Sequence, residues 1–263
     1  MSGLSDSARD LHDAIVASLS LPASCRVDQR VPKKMLAEHG GATASDRRLL
    51  TDGVAEAHWL AALKPSTVAV PAWRDEEREY LELAVLTVEL RASHASGAQR
   101  ERLSELVHRA IPYPVLLLIL TPDLVELSLA HKRAAQNEVG RVVLDGEPIR
   151  LVLGEEEPVP DGLLAALAVD CQPHQHLMAF YQGWIDTLIA AQAARVTGHF
   201  VVAATPDRAA SRRAALREHQ LLEQEAARLR ALAAKESQMA KRVEYNLALK
   251  KVQVGLLAAK EEL

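Results

Sequence analysis

Apolar positions recur along the chain at two spacings, every three to four residues and every second residue, and the alternation between them predicts helices interleaved with strands. From Leu4 to Leu19, the residues Leu4, Leu11, Ile15, Val16 and Leu19 share one helical face, and Leu21-Pro22 ends the pattern. Pro32 to Glu38 predicts a short helix that opens on proline and stops at Gly40-Gly41. Thr43 suits the N-cap of a helix over Ala44 to Leu50, with Asp46 three residues on to meet its free amides. Val54 to Leu63 and Thr67 to Val70 predict a hairpin around Lys64-Pro65-Ser66. Helices followed by a hairpin is an order compatible with a winged-helix-like module.

Glu79 to Arg91, rich in Leu and Val, predicts a strand. Gln99 to Ala110 is amphipathic, with Leu103, Leu106, Val107 and Ala110 on one face. Ile111-Pro-Tyr-Pro114 stops that helix and launches Val115 to Leu120, a continuous apolar run that suits a central strand covered on both faces. Leu124 to Leu129 follows as a partner strand, and Arg141 to Leu144 with Pro148 to Leu153 predict a hairpin about Asp145-Gly146. The expected fold is α+β, a small mixed or antiparallel sheet with flanking helices. Three regions are expected: 1–71, N-terminal helices plus hairpin; 72–157, a sheet domain; and 158–263, a C-terminal helical hairpin or coiled-coil arm. Gly154 to Gly162 supplies the linker.

Gln175 to Val196 predicts a second strong helix. Beyond it, the segment from Pro206 to Leu263 has no further proline and one glycine, Gly255. A single helix there would run roughly 80 Å and would need a partner, whether its own chain folded back, a second copy or another protein. Leu222, Leu229, Leu232, Met239, Val243, Leu247, Val254 and Leu257 form an approximate three-four stripe, broken at Glu236 and Lys250, which rules out a strict heptad zipper. The pattern favours folding against the Gln175 helix over part of its length, with the remainder docking a partner protein. Leu222, Leu229, Leu232, Met239, Val243 and Leu247 are the candidate docking residues.

Composition narrows the picture. The chain has 263 residues, 49% of them hydrophobic and only 3% aromatic, so its core must come from Leu, Val, Ala and Ile. A formal net charge of −4 gives no global case for a nucleic-acid binder. Locally, the segment from Pro206 carries twelve Lys/Arg against eight Asp/Glu. Arg26, Arg30, Lys33, Lys34, Arg47 and Arg48 near the start, and Arg208, Arg212 and Arg213 on the long helix, are candidate DNA contacts. Asp28, Glu38 and Asp46 dilute the first group, and a solvated face is its plainer reading. Cys25 and Cys171 lie far apart, and Asp6, Arg9, Asp10 and Asp13 interrupt any signal-peptide core. The longest apolar run is too short for a bilayer, so a cytoplasmic protein without a membrane partner is expected.

Signs of chemistry are sparse. Cys171, His174 and His176 have metal-ligand character, but their spacing matches no closed zinc pattern and they sit where a helix starts, which favours a loop and helix cap. Asp123 and Glu126 have the character of the acidic pairs with which nucleases hold magnesium, although Ser128 stands where such enzymes carry lysine. No phosphate loop, nucleophile elbow or dinucleotide fingerprint occurs, so no cofactor is expected and an enzyme is disfavoured.

Val31-Pro-Lys-Lys-Met-Leu-Ala-Glu38, the stretch from Trp59-Leu60 to Leu63-Lys-Pro-Ser-Thr-Val68, Ile111-Pro-Tyr-Pro114, Leu129-Ala-His-Lys-Arg133 and Lys241-Arg-Val-Glu-Tyr-Asn246 together resemble a bacterial family built on a domain of unknown function. These motifs are structural in type and span nearly the whole chain. The resemblance implies a place beside superfamily-two helicases and DNA methyltransferases of restriction or phage-defence loci. It thereby implies a non-enzymatic accessory subunit whose helical arm docks a helicase-type or methyltransferase subunit. A divergent metal-dependent nuclease and a DNA-binding regulator are the alternatives, and self-association stays open.

Overall fold

The computed structural model describes residues 6–135 and 142–263, so the expectations for Leu4 and Arg141 fall outside the described residues. The chain divides into two compact units, Met1–Leu188 and Ile189–Leu263.

The first unit opens with α1 (Asp6–Ser18), β1 (Arg26–Arg30), α2 (Lys33–Gly40), α3 (Ala44–Arg48) and β2 (Val54–Leu63). A single turn, α4 (Pro65–Val68), leads to the short ribbon β3 (Trp73–Arg74) and β4 (Glu79–Tyr80), then to β5 (Leu83–Leu90). Helix α5 (Gly97–Ala110) crosses to β6 (Val115–Leu120), which turns into β7 (Leu124–Leu129). β8 (Lys132–Ala134), β9 (Val142–Leu144), β10 (Ile149–Gly154) and α6 (Leu163–Ala166) follow, and α7 (Leu177–Thr197) starts in this unit.

Six strands make one mixed sheet in the order β1-β2-β5-β6-β7-β10. Among the described residues only β5 and β6 run parallel. Parallel neighbours cannot be joined by a tight turn, and α5 is the crossover they need. β6 is buried at every position and β5 at all but Glu89, as a strand covered on both faces must be. On one face Leu36, Leu50, Leu103, Leu106 and Val107 pack over Ala57, Leu86, Val88 and Leu117. α1 lies against β6 and β7 on the sheet. Gly40 permits a close approach of α2 to α5, because a Cβ there would stand 2.5 Å from the Leu106 carbonyl oxygen.

Local chemistry explains where helices begin. Thr43 Oγ1 accepts from the Asp46 amide at 3.1 Å, while Asp46 Oδ2 accepts from the Thr43 amide at 3.0 Å, closing a capping box on α3. Ser96 and Gln99 do the same for α5.

Three expectations are corrected. Thr67–Val70 is not a strand: Pro65 supplies a helix-ready φ and Thr67 Oγ1 accepts from the Lys64 amide at 2.8 Å, so α4 forms. The wing hairpin therefore does not exist, and β2 pairs with β1 and β5. Finally, β9 and β10 do not pair with each other: β9 joins β8, while β10 runs in unbroken register with β7, from Ile149↔Leu129 to Gly154↔Leu124. β7 offers a longer apolar edge than a three-residue strand can.

In the second unit the long segment breaks at Glu236-Ser237-Gln238 and folds on itself. α8 (Pro206–Lys235) and α9 (Met239–Glu261) form an antiparallel hairpin, 30 and 23 residues long. At 1.5 Å per residue these are about 45 and 35 Å, not one rod. The principal partner of α8 is α9. Thr205 caps α8 and Pro206 takes its first turn. Gly255 faces Leu222, whose Cδ1 would lie 3.1 Å from an added Cβ. No helix among the described residues is long and apolar enough to cross a membrane.

Candidate functional site

β7 carries Glu126 and Ser128 two residues apart, so both point to the same face of the sheet. α5 passes over that face, and its Arg100, Ser104 and His108 lie four residues apart on one side of the helix. The two rows meet in a polar seam. Arg100 Nε donates to Glu126 Oε2 at 2.9 Å and Arg150 donates to Glu126 Oε1 at 3.2 Å. Ser104 Oγ and Ser128 Oγ are 2.6 Å apart, and His108 Nε2 is 2.9 Å from Ser128 Oγ. Lys132 Nζ donates to the carbonyls of Ile111 and Tyr113, where α5 gives way to β6. Burial pushes the Lys132 ammonium down to about 7 and holds the His108 imidazole well below its ordinary value, hence neutral.

This seam bears on the nuclease expectation. Glu126 has no solvent exposure and its carboxylate is engaged by two guanidiniums, whereas Asp123 is exposed in the turn before β7. The pair does not converge on a metal. Among the described residues no group of three His, Cys, Asp or Glu side chains could hold one. Glu82 and Glu89 are engaged by Lys64 and Arg9 at 3.1 and 3.4 Å. A serine beside a histidine opens many nucleophilic sites, but Ser128 is 0% and His108 1% exposed, so substrate cannot reach them. His12 also bridges Asp13 and Thr87, each at 2.9 Å, in the order of a catalytic triad. The Asp13 carboxylate is 70% exposed, which leaves it free to exchange that contact for water.

Cys171, His174 and His176 separate. Cys171 is exposed in a turn, His174 stacks on Phe180, and His176 Nδ1 accepts from the Ala179 amide at 3.1 Å while its ring stacks on Trp73. His176 is a cap for the first turn of α7.

The basic residues are largely engaged in structure. Lys33 Nζ donates to the carbonyls of Thr51 and Val54 at 2.7 and 3.0 Å. Arg30 reaches Glu56 at 3.4 Å, Lys34 reaches Glu38 at 3.7 Å, and Arg47 donates to the Gly41 carbonyl. Arg26 and Arg48 are exposed. Arg26 and Arg30 flank the free edge of β1, where charge discourages pairing with another strand. Arg212 is buried, donating Nε to the Leu263 carbonyl at 2.9 Å and a second N–H to the Val201 carbonyl. Arg208 lies 3.8 Å from Glu262, and Arg213 is half-buried. Cations placed at the C-terminal end of α9 meet its negative dipole end, which accounts for a basic stripe on the first turns of α8.

The predicted docking residues divide. Leu229 is buried, and Leu222 and Leu232 are half-buried, on α8. α9 turns one face inward, through Leu249, Val252, Gly255, Leu256 and Ala259. Its opposite face carries Met239, Val243, Leu247, Val254 and Leu257, which are 65, 47, 55, 68 and 65% exposed. At 3.6 residues per turn these five fall within one stripe, about half a turn from the inward face. α9 is thus apolar on two sides and covered on one. Val254 and Leu257, part of the stripe read from sequence but not of its candidate docking residues, join the exposed set.

No curated protein and no solved structure matches the chain. The model of the family described as a domain of unknown function (DUF4391) matches residues 19–256. With nearly its whole length covered, the chain belongs to that family.

Proposed function

We propose that the chain is a non-enzymatic interaction subunit that docks a partner protein through the outer face of α9. One observation carries the reading: five large aliphatic side chains stand exposed in a single stripe on a helix whose other face is already used. Scattered exposed apolar residues are ordinary, but several aligned along one helix face are a mark of an interface. The engagement of Glu126 by two arginines favours this reading over a nuclease that would use Asp123 with Glu126. The partner implied by the sequence resemblance is a helicase-type or methyltransferase subunit of a bacterial restriction or phage-defence system.

The test is co-expression of tagged full-length protein with such a subunit. Co-elution with the wild type, abolished in the Val243→Asp/Leu247→Asp double variant at unchanged thermal midpoint, supports the reading. Equal capture by wild type and variant, or magnesium-dependent DNA cleavage lost in Asp123→Ala, sinks it.

A further inference from the structure

The stripe on α9 is not purely apolar, and its one central charge says what should cover it. Ala240, Val243, Leu247, Lys250, Val254 and Leu257 follow one another at spacings of three, four, three, four and three, the seam of a two-helix contact. Lys250 sits in the middle of that seam and is exposed. Along its length α9 carries Lys241, Arg242, Lys250, Lys251 and Lys260 against Glu244 and Glu261.

Three kinds of cover can be weighed on this geometry. A second copy of α9 brings a second Lys250 to the same seam, side by side in a parallel pair and about one turn apart in an antiparallel one, and like charges there repel. An anionic lipid surface favours cations at the margins of an apolar face, whereas Lys250 lies on its midline. A helix with apolar seam positions and a carboxylate facing Lys250 satisfies both the grease and the charge, and acidic margins complement Arg242, Lys251 and Lys260.

We propose that the outer face of α9 seats an acidic amphipathic helix of a partner protein, with a partner carboxylate opposite Lys250. The proposal rests on the docking reading above and specifies its chemistry. A single polar pair in an apolar seam fixes register and partner choice, and Lys250 takes that part here.

Two synthetic helical peptides test it. Both carry leucine at the seam positions; one has glutamate at the central seam position and at the margins, the other lysine. Binding to full-length protein is read by fluorescence anisotropy. The acidic peptide is expected to bind more tightly by about ten-fold or more, and Lys250→Glu to reverse the preference, as close charge pairs at interfaces do. Equal affinity for both peptides overturns the charge selection and leaves the docking reading standing. Binding of neither peptide overturns both. Preference for phosphatidylserine vesicles over the acidic peptide, or a concentration-dependent dimer that Lys250→Leu tightens, replaces the partner helix with a lipid surface or a second copy. Circular dichroism of Lys250→Glu confirms that the hairpin is intact.

Discussion

The sheet of the first unit and the hairpin of the second treat their surplus in opposite ways. Under α5, charged and polar groups are taken inside and largely satisfied there: Glu126 by Arg100 and Arg150, Ser128 by Ser104 and His108, Lys132 by two carbonyls, with His108 Nδ1 left without a hydrogen-bond partner among the described residues. On α9, five aliphatic side chains remain outside. Buried polar groups without partners are costly, so a sheet that keeps such a row must satisfy it from within. Exposed apolar groups cost less individually, and a stripe of them becomes favourable once a second surface covers it. The lesson is one of roles: polarity inside the first unit is structural, and greasiness outside the second is what the docking proposal rests on.

The contrast can be broken most severely at Glu126. Glu126→Ala takes from Arg100 its carboxylate and leaves Arg150 with only Glu101, at 3.3 Å, and should lower unfolding free energy by about 3–5 kcal/mol in urea titration. Asp46→Ala comes next, removing the bidentate contacts to Arg102 at 2.8 Å each together with the α3 capping box. A loss of about 2 kcal/mol is expected. Arg102 holds the Asp46 carboxyl well below its ordinary 3.8, so this contribution is present above that pH and is lost as the solution is acidified below it; Asp46→Asn should flatten that acid limb. Gly40→Ala, forced against the Leu106 carbonyl, should cost about 1–3 kcal/mol.

Lys132 gives an alkaline signature. Its folded value is about 7 against an ordinary 10.5, so between those values the unfolded chain binds the extra proton and stability rises with pH. Burial raises the phenols of Tyr80 and Tyr181, which reverses the slope above about pH 10, and Lys132→Met should remove only the rising part. Smallest of all, Val243→Asp or Leu247→Asp should shift stability by no more than about 0.5 kcal/mol while removing partner capture. A large loss of stability there would erase the distinction between the two regions.

Much of the fold was legible because its signals are local. Val54–Leu63 and Val115–Leu120 are strands at the expected residues, and Thr43 with Asp46 caps α3 as its spacing implies. What stayed hidden depends on neighbours far along the chain. Nothing around Asp145-Gly146 says that β10 belongs to β7 and β9 to β8. Glu126 looked chemical because the arginines that engage it come from 26 residues before and 24 after. A signal was nonetheless available: polar residues at 126 and 128 on a strand, and at 100, 104 and 108 on a helix, are two rows of matching period. The α9 stripe was read in part, since six leucine, methionine and valine positions on two helices cannot be sorted into inner and outer faces until the break at Glu236–Gln238 is known.

That pair of matching rows also gives α5 an address. Aliphatic side chains tolerate sliding and rotation, because one methyl contact substitutes for another. A helix held only by leucine and valine could settle on this sheet in several neighbouring positions of similar energy. With Arg100, Ser104 and His108 each keyed to a particular atom on β7, a shift by one residue strands several hydrogen-bonding atoms at once. The polar row therefore works as an index, selecting one seating of the crossover helix among many that the grease alone would accept.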